Sequence, residues 1–183
     1  MSNMYLASFG NDTFVIDPSV SPDALSSFEQ QITAILITHG HYDHIKFVEE
    51  WHDRFPQATI YMNSADESLI SDPVANCSYM DMVSRTFEFP YSVPEGTIRA
   101  GNTEITVLNT PGHTMGSVCY MFSDEDKKYL FTGDTVFAGS VGRTDMQGGS
   151  FALLSSSIEE LRKLDPDTII LPGHGPGSTV KDE

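Results

Sequence analysis

The chain has 183 residues, of which 39% are hydrophobic and 20% are charged, and its formal net charge is -16. That length suits one domain with a sizeable core, so we predict a single domain spanning residues 1–183. Binding to a nucleic-acid duplex requires a basic surface stripe, and this acidic composition argues against nucleic acid as a partner.

Other features of the composition predict a cytoplasmic protein that does not bind a membrane. No segment approaches the roughly twenty apolar residues of a membrane span. Residues 1–4 have neither the basic flank nor the apolar core of a signal peptide. Cys77 and Cys119 are not paired with histidine at zinc-ligand spacing, so both are expected to be free thiols in a reducing compartment.

The first part of the chain is expected to begin with a β-hairpin formed by residues 4–7 and 13–16. Ser21 and Pro22 then predict the N-cap and first turn of a helix. The buried side of that helix is expected to carry Leu25, Phe28 and Ile32.

A second amphipathic helix is expected after residue 44, because Ile45, Val48, Trp51 and Phe55 recur at intervals of three and four residues. This helix should run to Pro56. A strand at 59–62 and a short helix at 64–70 follow.

Residues 71–95 show no clear periodicity and contain three prolines. A long stretch of this kind is often a functional loop in a compact domain. Two interpretations stay open: a Met-rich cover over a cleft, or an irregular surface segment whose apolar residues fill the edge of a core.

The second half is expected to be mainly β-structure. Residues 98–109 predict a hairpin that turns at Gly101 and Asn102, and residues 117–131 predict another hairpin. The Gly148–Ser150 stretch should begin a last helix, with Leu154, Ile158 and Leu161 on its buried side.

Four apolar runs end abruptly in a glycine-containing turn that carries histidine or aspartate. If the runs are strands that end at one edge of the fold, their turns bring these side chains to one place, and glycine allows the sharp bends. Imidazole and carboxylate groups are the ligands that zinc, iron and manganese accept. The candidate metal ligands are His39, His41, Asp43, His44, His113, Asp134 and His174.

Seven donors are too many for one tetrahedral zinc ion, which takes four ligands. We therefore predict two divalent metal ions, zinc first and iron or manganese as alternatives. The expected division has three groups. They are His39, His41 and His113 on the first ion; Asp43, His44 and His174 on the second; and Asp134 as a bridge.

The motif His39-x-His41-x-Asp43-His44, with the later Gly-His and Gly-Asp turns, resembles the metallo-β-lactamase superfamily. The segments 131–145 and 172–176 are similar to those of short bacterial glyoxalase II-like hydrolases. The resemblance covers nearly the whole chain. It implies an α+β fold, a four-layer αββα sandwich with two facing sheets and helices outside.

That resemblance also implies hydrolysis of a small-molecule thioester, such as an S-2-hydroxyacylglutathione, by a metal-bridging hydroxide, with Asp43 and Asp134 as the catalytic carboxylates. Two enzymes of the same fold are alternatives: a persulfide dioxygenase-like mononuclear iron enzyme and a lactonase. β-Lactam hydrolysis is not expected, since metallo-β-lactamases often place cysteine where Asp134 stands.

Lys46 and Arg143 are the candidate substrate-binding residues. Lys46 stands where family members generally have glycine, and Arg143 matches a basic position that contacts glutathione in glyoxalase II. Each has a simpler interpretation, a solvated helix lysine for Lys46 and an ion pair with Asp145 for Arg143. The C-terminal extension of full-length glyoxalase II has no counterpart in these 183 residues, so loops are expected to hold the thiol moiety.

Overall fold

The structure, a computed structural model, describes residues 2–25 and 30–183. One sheet has four strands in the order β1-β2-β3-β4. β1 and β2 are antiparallel, whereas β2, β3 and β4 run parallel, so the last three strands end at the same edge. The strands are Tyr5–Phe9 (β1), Asp12–Ile16 (β2), Ala34–Leu36 (β3) and Thr59–Tyr61 (β4).

The second sheet has six strands in the order β12-β11-β8-β7-β6-β5. Within it β8 and β11 are parallel and also end at a common edge. The ranges are Thr97–Ala100 (β5), Thr103–Asn109 (β6), Val118–Asp124 (β7), Lys127–Gly133 (β8), Ile169–Pro172 (β11) and Ser178–Thr179 (β12). A separate small hairpin, Val136–Phe137 (β9) with Ser140–Val141 (β10), was not predicted from the sequence.

The helices lie outside the two sheets. The α-helices are Tyr42–Ile45 (α1), Val48–Arg54 (α2), Glu67–Ile70 (α3) and Phe151–Leu161 (α4). Short 3-10 helices occur at Pro22–Leu25, Ser64–Asp66, Ser78–Asp81 and Val180–Asp182. None of the helices in the described parts of the chain is long and apolar enough to cross a membrane.

Side chains that alternate along the strands build three apolar layers. Phe14 and Leu36 face the second sheet, where they share a core with Phe122 and Phe131. The neighbouring residue of β2, Val15, points the other way, toward the layer of Ile45 and Trp51. A third cluster packs α4 against the outer face of the six-stranded sheet, through Leu161, Leu130 and Ile170. The αββα sandwich inferred from the sequence is thereby confirmed.

The expected helix from residue 45 to residue 56 is interrupted at Lys46 and Phe47. The Phe47 backbone N–H donates to the Pro18 carbonyl at 3.0 Å, outside the helix, and the φ/ψ angles of Phe47 are -119° and 19°. The periodicity was right, because Ile45, Val48 and Trp51 are fully buried. The continuity was wrong, because a bond to a distant segment competes with the helical bond.

The helix predicted after Ser21 is also shorter than expected. The Ser21 hydroxyl accepts a hydrogen bond from the Asp23 N–H at 3.3 Å, but the helical turn that follows is the 3-10 turn Pro22–Leu25. Phe28 lies outside the described residues. Ile32 is buried as predicted, although its backbone is not helical: it leads into β3, and the next residue, Thr33, bonds to the Thr13 carbonyl.

Candidate metal centre

The first group of candidate ligands comes from turns on the two opposite sheets. His39 and His41 follow β3, His113 follows β6, and all three side chains are buried. Their ligand atoms lie within 4.8 Å of one another. Nδ1 of His41 and Nε2 of His113 are 2.9 Å apart, so these two ring nitrogens face the same space.

The second group lies beside the first. His44 is fully buried at the end of α1, Asp43 precedes it, and His174 follows β11. Nε2 of His174 lies 3.3 Å from Oδ2 of Asp43, and Nε2 of His44 lies 3.9 Å from the same oxygen. Asp43, His44 and His174 therefore form a second set that could hold an ion.

Asp134, in the turn after β8, lies between the two groups. Its Oδ1 atom is 3.3 Å from Nε2 of His44. Its Oδ2 atom is 3.5 Å from Nε2 of His113 and 3.5 Å from Nε2 of His174. One carboxylate thus faces histidines of both groups, the placement expected of a bridge.

The buried polar atoms of these residues fit metal ions better than they fit one another. Four atoms of the candidate ligands are buried and have no hydrogen-bond partner: His39 Nε2, His41 Nε2, His44 Nε2 and Asp134 Oδ1. Leaving a buried donor or acceptor unpaired costs about 1–3 kcal/mol each. Four such atoms in one cluster of imidazole and carboxylate groups fit bound zinc, iron or manganese.

Burial sets the protonation state of the first group. It lowers the pKa of His41 to about 3, and the nearby His113 adds to that effect. Burial likewise holds the pKa of His39 well below its ordinary value and lowers the pKa of His113. All three imidazoles are therefore neutral at neutral pH, which is the form that binds a metal ion.

In the second group, neighbouring carboxylates raise the pKa values of the histidines. For His44, burial would lower the pKa, but the carboxylates of Asp134 and Asp17 outweigh it and raise the pKa well above its ordinary value. A hydrogen bond to Asp43 raises the pKa of His174. For Asp43, burial is outweighed by the His174 hydrogen bond and the charge of His44, so its pKa is lowered and it is ionised.

The sequence profile of the metallo-β-lactamase superfamily matches residues 1–174. The chain belongs to the metallo-β-lactamase superfamily. An uncharacterized protein of Mycobacterium tuberculosis is 34% identical over 93% of this chain and 84% of its own length. A probable metallo-hydrolase of Streptococcus pyogenes is 31% identical over 97% and 81%, respectively. A probable polyketide biosynthesis zinc-dependent hydrolase of Bacillus subtilis is 32% identical over 92% and 71%.

Two similar crystal structures carry the same fold. The B3 metallo-β-lactamase BLEG-1 superposes with a TM-score of 0.90 at 32% identity, over 99% of this chain and 90% of that one. The protein TTHA1623 in a di-iron-bound form gives a TM-score of 0.86 at 30% identity, over 98% and 90%. The chain is thus a metal-dependent hydrolase of this superfamily. One of these relatives is called zinc-dependent and another is di-iron-bound, so they do not fix the metal.

Asp17 and Thr38 are not candidate ligands, but they contact histidines that are. Oδ2 of Asp17 lies 2.9 Å from Nδ1 of His44 and accepts the Thr38 hydroxyl at 2.7 Å. The Thr38 hydroxyl also lies 3.1 Å from Nδ1 of His39. Such partners fix the tautomer and the orientation of a ligand ring. The sequence analysis gave neither residue a role. The one feature of the sequence that could have indicated Asp17 is its position directly after the buried strand β2, which ends beside the site.

A cleft of about 380 Å³ opens beside the second ligand group. It is lined by Ser19, Tyr42, Asp43, Lys46, Cys77, Met80 and Asp81. A larger concavity of about 750 Å³ lies away from the candidate ligands, on the β5–β7 side of the fold, and contains none of them. The smaller cleft is therefore the candidate substrate site.

The structure places the two candidate substrate-binding residues differently. Lys46 lines the cleft; its Nζ atom is 3.3 Å from Oδ2 of Asp81 and 5.3 Å from the centre of the Tyr42 ring. Arg143 is exposed and makes a two-pronged ion pair with Asp145, at 2.7 and 2.8 Å. Its backbone carbonyl accepts a hydrogen bond from Nδ1 of His113 at 2.7 Å. The side chain of Arg143 is thus held in an ion pair with Asp145, and its main-chain carbonyl orients the candidate ligand His113.

Residues 71–95 contribute partly to the core and partly to the edge of the cleft. Asn76, Phe87 and Phe89 are buried and extend the core. Met80 and Asp81, on the 3-10 helix Ser78–Asp81, form one wall of the cleft. Part of the segment is core and part of it borders the candidate substrate site.

Proposed function

We propose that this chain hydrolyses the thioester bond of a small anionic acyl-thiol, in the manner of glyoxalase II-like enzymes. The observation that carries the proposal is the cleft beside Asp43, which combines a cation with apolar and aromatic walls. Lys46 supplies the charge, and Tyr42 and Met80 supply the apolar surface. A thioester of glutathione has matching parts, an anionic peptide and an acyl-sulfur group.

The reaction adds water across the thioester: the carbonyl carbon gains an oxygen, the carbon–sulfur bond breaks, and the proton goes to the thiolate. Two divalent ions bound at the site would lower the pKa of water and polarise a carbonyl oxygen. A thiol has a pKa of about 8.5, so the leaving group needs only weak acid assistance.

The chain's own residues then orient the reactants. Asp43 belongs to a ligand group and also lines the cleft, so its carboxylate faces the space where the substrate carbonyl would lie. Its lowered pKa keeps it ionised, so it can bind a divalent ion and accept a hydrogen bond from water. Asp134 lies within 3.5 Å of both histidine groups and keeps them at a fixed separation.

Lys46 is proposed to bind a carboxylate of the substrate. Its pairing with Asp81 joins two partly exposed side chains, with 35% and 50% exposure, and exposed pairs of this type contribute little stability. A substrate carboxylate can therefore displace Asp81 from Lys46. Arg143 would contribute only after its ion pair with Asp145 opens, and it is the weaker candidate of the two.

The test is a comparison of substrates with the zinc-loaded and iron-loaded chain. S-Lactoylglutathione, a homoserine lactone and a cephalosporin would be assayed in parallel, the last because BLEG-1 is described as a B3 metallo-β-lactamase. The proposal predicts the highest kcat/KM for the thioester and loss of that activity on chelation. A preference for the lactone or the cephalosporin would contradict it.

The mononuclear iron oxygenase is the alternative that needs its own assay. It would consume oxygen with glutathione persulfide and would work with a single iron ion. Oxygen uptake that exceeds thioester cleavage would replace the hydrolase proposal with that alternative.

A further inference from the structure

A buried carboxylate joins the two turns that carry the first ligand group. Asp66 is 1% exposed and ends the 3-10 helix Ser64–Asp66. Its Oδ2 atom accepts the Gly40 N–H at 2.9 Å and the Thr114 hydroxyl at 2.8 Å. Its Oδ1 atom accepts the Gly116 N–H at 2.7 Å.

These donors stand next to the candidate ligands. Gly40 lies between His39 and His41, in the turn after β3 of the four-stranded sheet. Thr114 directly follows His113, in the turn after β6 of the six-stranded sheet. A single carboxylate therefore spans the gap between two sheets whose turns must meet at one point.

The two glycines allow the close approach that this arrangement needs. A Cβ atom on residue 116 would lie 2.5 Å from Cγ of Asp66. A Cβ atom on residue 40 would lie 2.7 Å from Cγ2 of Ile70 and 3.3 Å from Cβ of Asp66. Contacts under 3.0 Å force the backbone apart, so glycine at both positions keeps the turns against the carboxylate.

We propose that Asp66 is a positioning residue: it sets the separation of His39 and His41 from His113 and so determines the affinity of the first metal ion without touching that ion. The inference rests on the assignment of these histidines as ligands. It adds a residue that the sequence analysis gave no role.

The substitution Asp66→Asn tests this with almost no change in volume. An amide presents one oxygen and one NH₂ group. Whichever way the amide turns, its NH₂ group faces a backbone N–H, either that of Gly116 or that of Gly40. One of the two turns therefore loses its hydrogen bond in either orientation.

Asp12 provides a matched control. It is also buried, and its Oδ2 atom also accepts one backbone N–H, from Asn102 at 2.7 Å, and one hydroxyl, from Thr103 at 2.9 Å. It stands at the opposite end of β2 from Asp17, roughly 16 Å away at about 3.3 Å per residue. Because both bonds go to one oxygen, an asparagine could keep them, so the control is Asp12→Ala, which removes them away from the ligands.

The experiment measures Zn²⁺ affinity by competition with a chromogenic chelator, together with the melting temperature of the metal-free full chain. For Asp66→Asn we expect the first Zn²⁺ ion to bind about 10–100-fold more weakly, the usual effect of losing a supporting partner of a metal site. For Asp12→Ala we expect a lower melting temperature and wild-type Zn²⁺ affinity. Wild-type affinity in Asp66→Asn, or equal losses of affinity in both variants, would overturn the inference.

Thr114→Val covers the case in which Asp66→Asn does not fold. It removes the hydroxyl bonds to Asp66 and Ser117 but keeps both backbone bonds to Asp66, so a smaller but measurable loss of Zn²⁺ affinity is expected. If this variant keeps wild-type affinity, the inference is overturned. Because the readout is metal binding, absence of thioester cleavage would count against the proposed function alone. A wild-type chain that binds no Zn²⁺ would show that these histidines are not metal ligands.

Discussion

Oδ2 of Asp17 lies 2.9 Å from Nδ1 of His44, and the opposite ring nitrogen of His44 faces Asp134 at 3.3 Å. Asp17 is itself held by the Thr38 backbone N–H at 2.8 Å. The ring of His44 is thus fixed by a carboxylate that is not among the candidate ligands. We predict that Asp17→Asn weakens binding of the second metal ion about 10–100-fold, because one amide oxygen cannot accept from both His44 and the Thr38 N–H.

A Zn²⁺ titration with a competing chelator measures this effect. Asp167→Asn is the control, since Asp167 is exposed and pairs only with Lys181 among the described residues. Two metal ions bound with wild-type affinity in Asp17→Asn would show that the 2.9 Å contact does not support the site.

Gly173 predicts a steric test of the same region. A Cβ atom at this position would collide with Oδ1 of Asp134 and would lie 2.6 Å from Cε1 of His44. We expect Gly173→Ala to fold but to lose most of its metal content, measured by elemental analysis. Gly177→Ala is the control, because its closest contact would be the Ile170 carbonyl at 3.1 Å, away from every ligand. Equal metal content in the two variants would contradict the packing described for Asp134.

Asp134→Ala is expected to lower kcat for a glutathione thioester by at least about 10²-fold. The carboxylate faces His44, His113 and His174, so its loss separates the two ligand groups. The measurement is a steady-state assay of thiol release at matched metal supply, with Asp167→Ala as the control. Turnover near that of the wild type would mean that no bridge is required.

Lys46→Met is expected to raise KM for an anionic thioester with little change in metal content, because a charge-assisted hydrogen bond contributes about 1–3 kcal/mol. Arg143→Met is expected to have a smaller effect, since Arg143 already pairs with Asp145. Arg162→Met is the control, since Arg162 caps the C-terminal end of α4 and pairs with Glu159. If both test variants keep the wild-type kcat/KM, recognition belongs to other residues of the cleft, of which Met80 is the first to test.

The sequence predicted most of the strands and the convergence of all seven candidate ligands, because each ligand lies in the turn or short helix that follows a strand. His113 and His174 lie far apart in the sequence, yet parallel and antiparallel pairing brings both turns to one edge. Local pattern was sufficient for these features. Whether the seven residues bind metal stays a prediction.

What the sequence did not predict depends on long-range contacts. The break at Phe47 follows from a bond to Pro18, and the role of Asp66 follows from bonds to Gly40 and Gly116. Neither partner can be recognised from periodicity or local spacing. The position of Met80 in the cleft wall could not be predicted for the same reason. Met80 belongs to an irregular segment, and buried residues of that segment set its position.

The metal content of the active enzyme tests the central claim most directly. The chain would be purified without added metal, then reconstituted separately with zinc and with iron, and metal per chain would be measured beside thioester cleavage and oxygen uptake. Two ions per chain, with thioester cleavage that is lost on chelation, is the predicted result. A folded, metal-replete chain that holds one ion and consumes oxygen instead of cleaving thioesters would contradict the binuclear hydrolase.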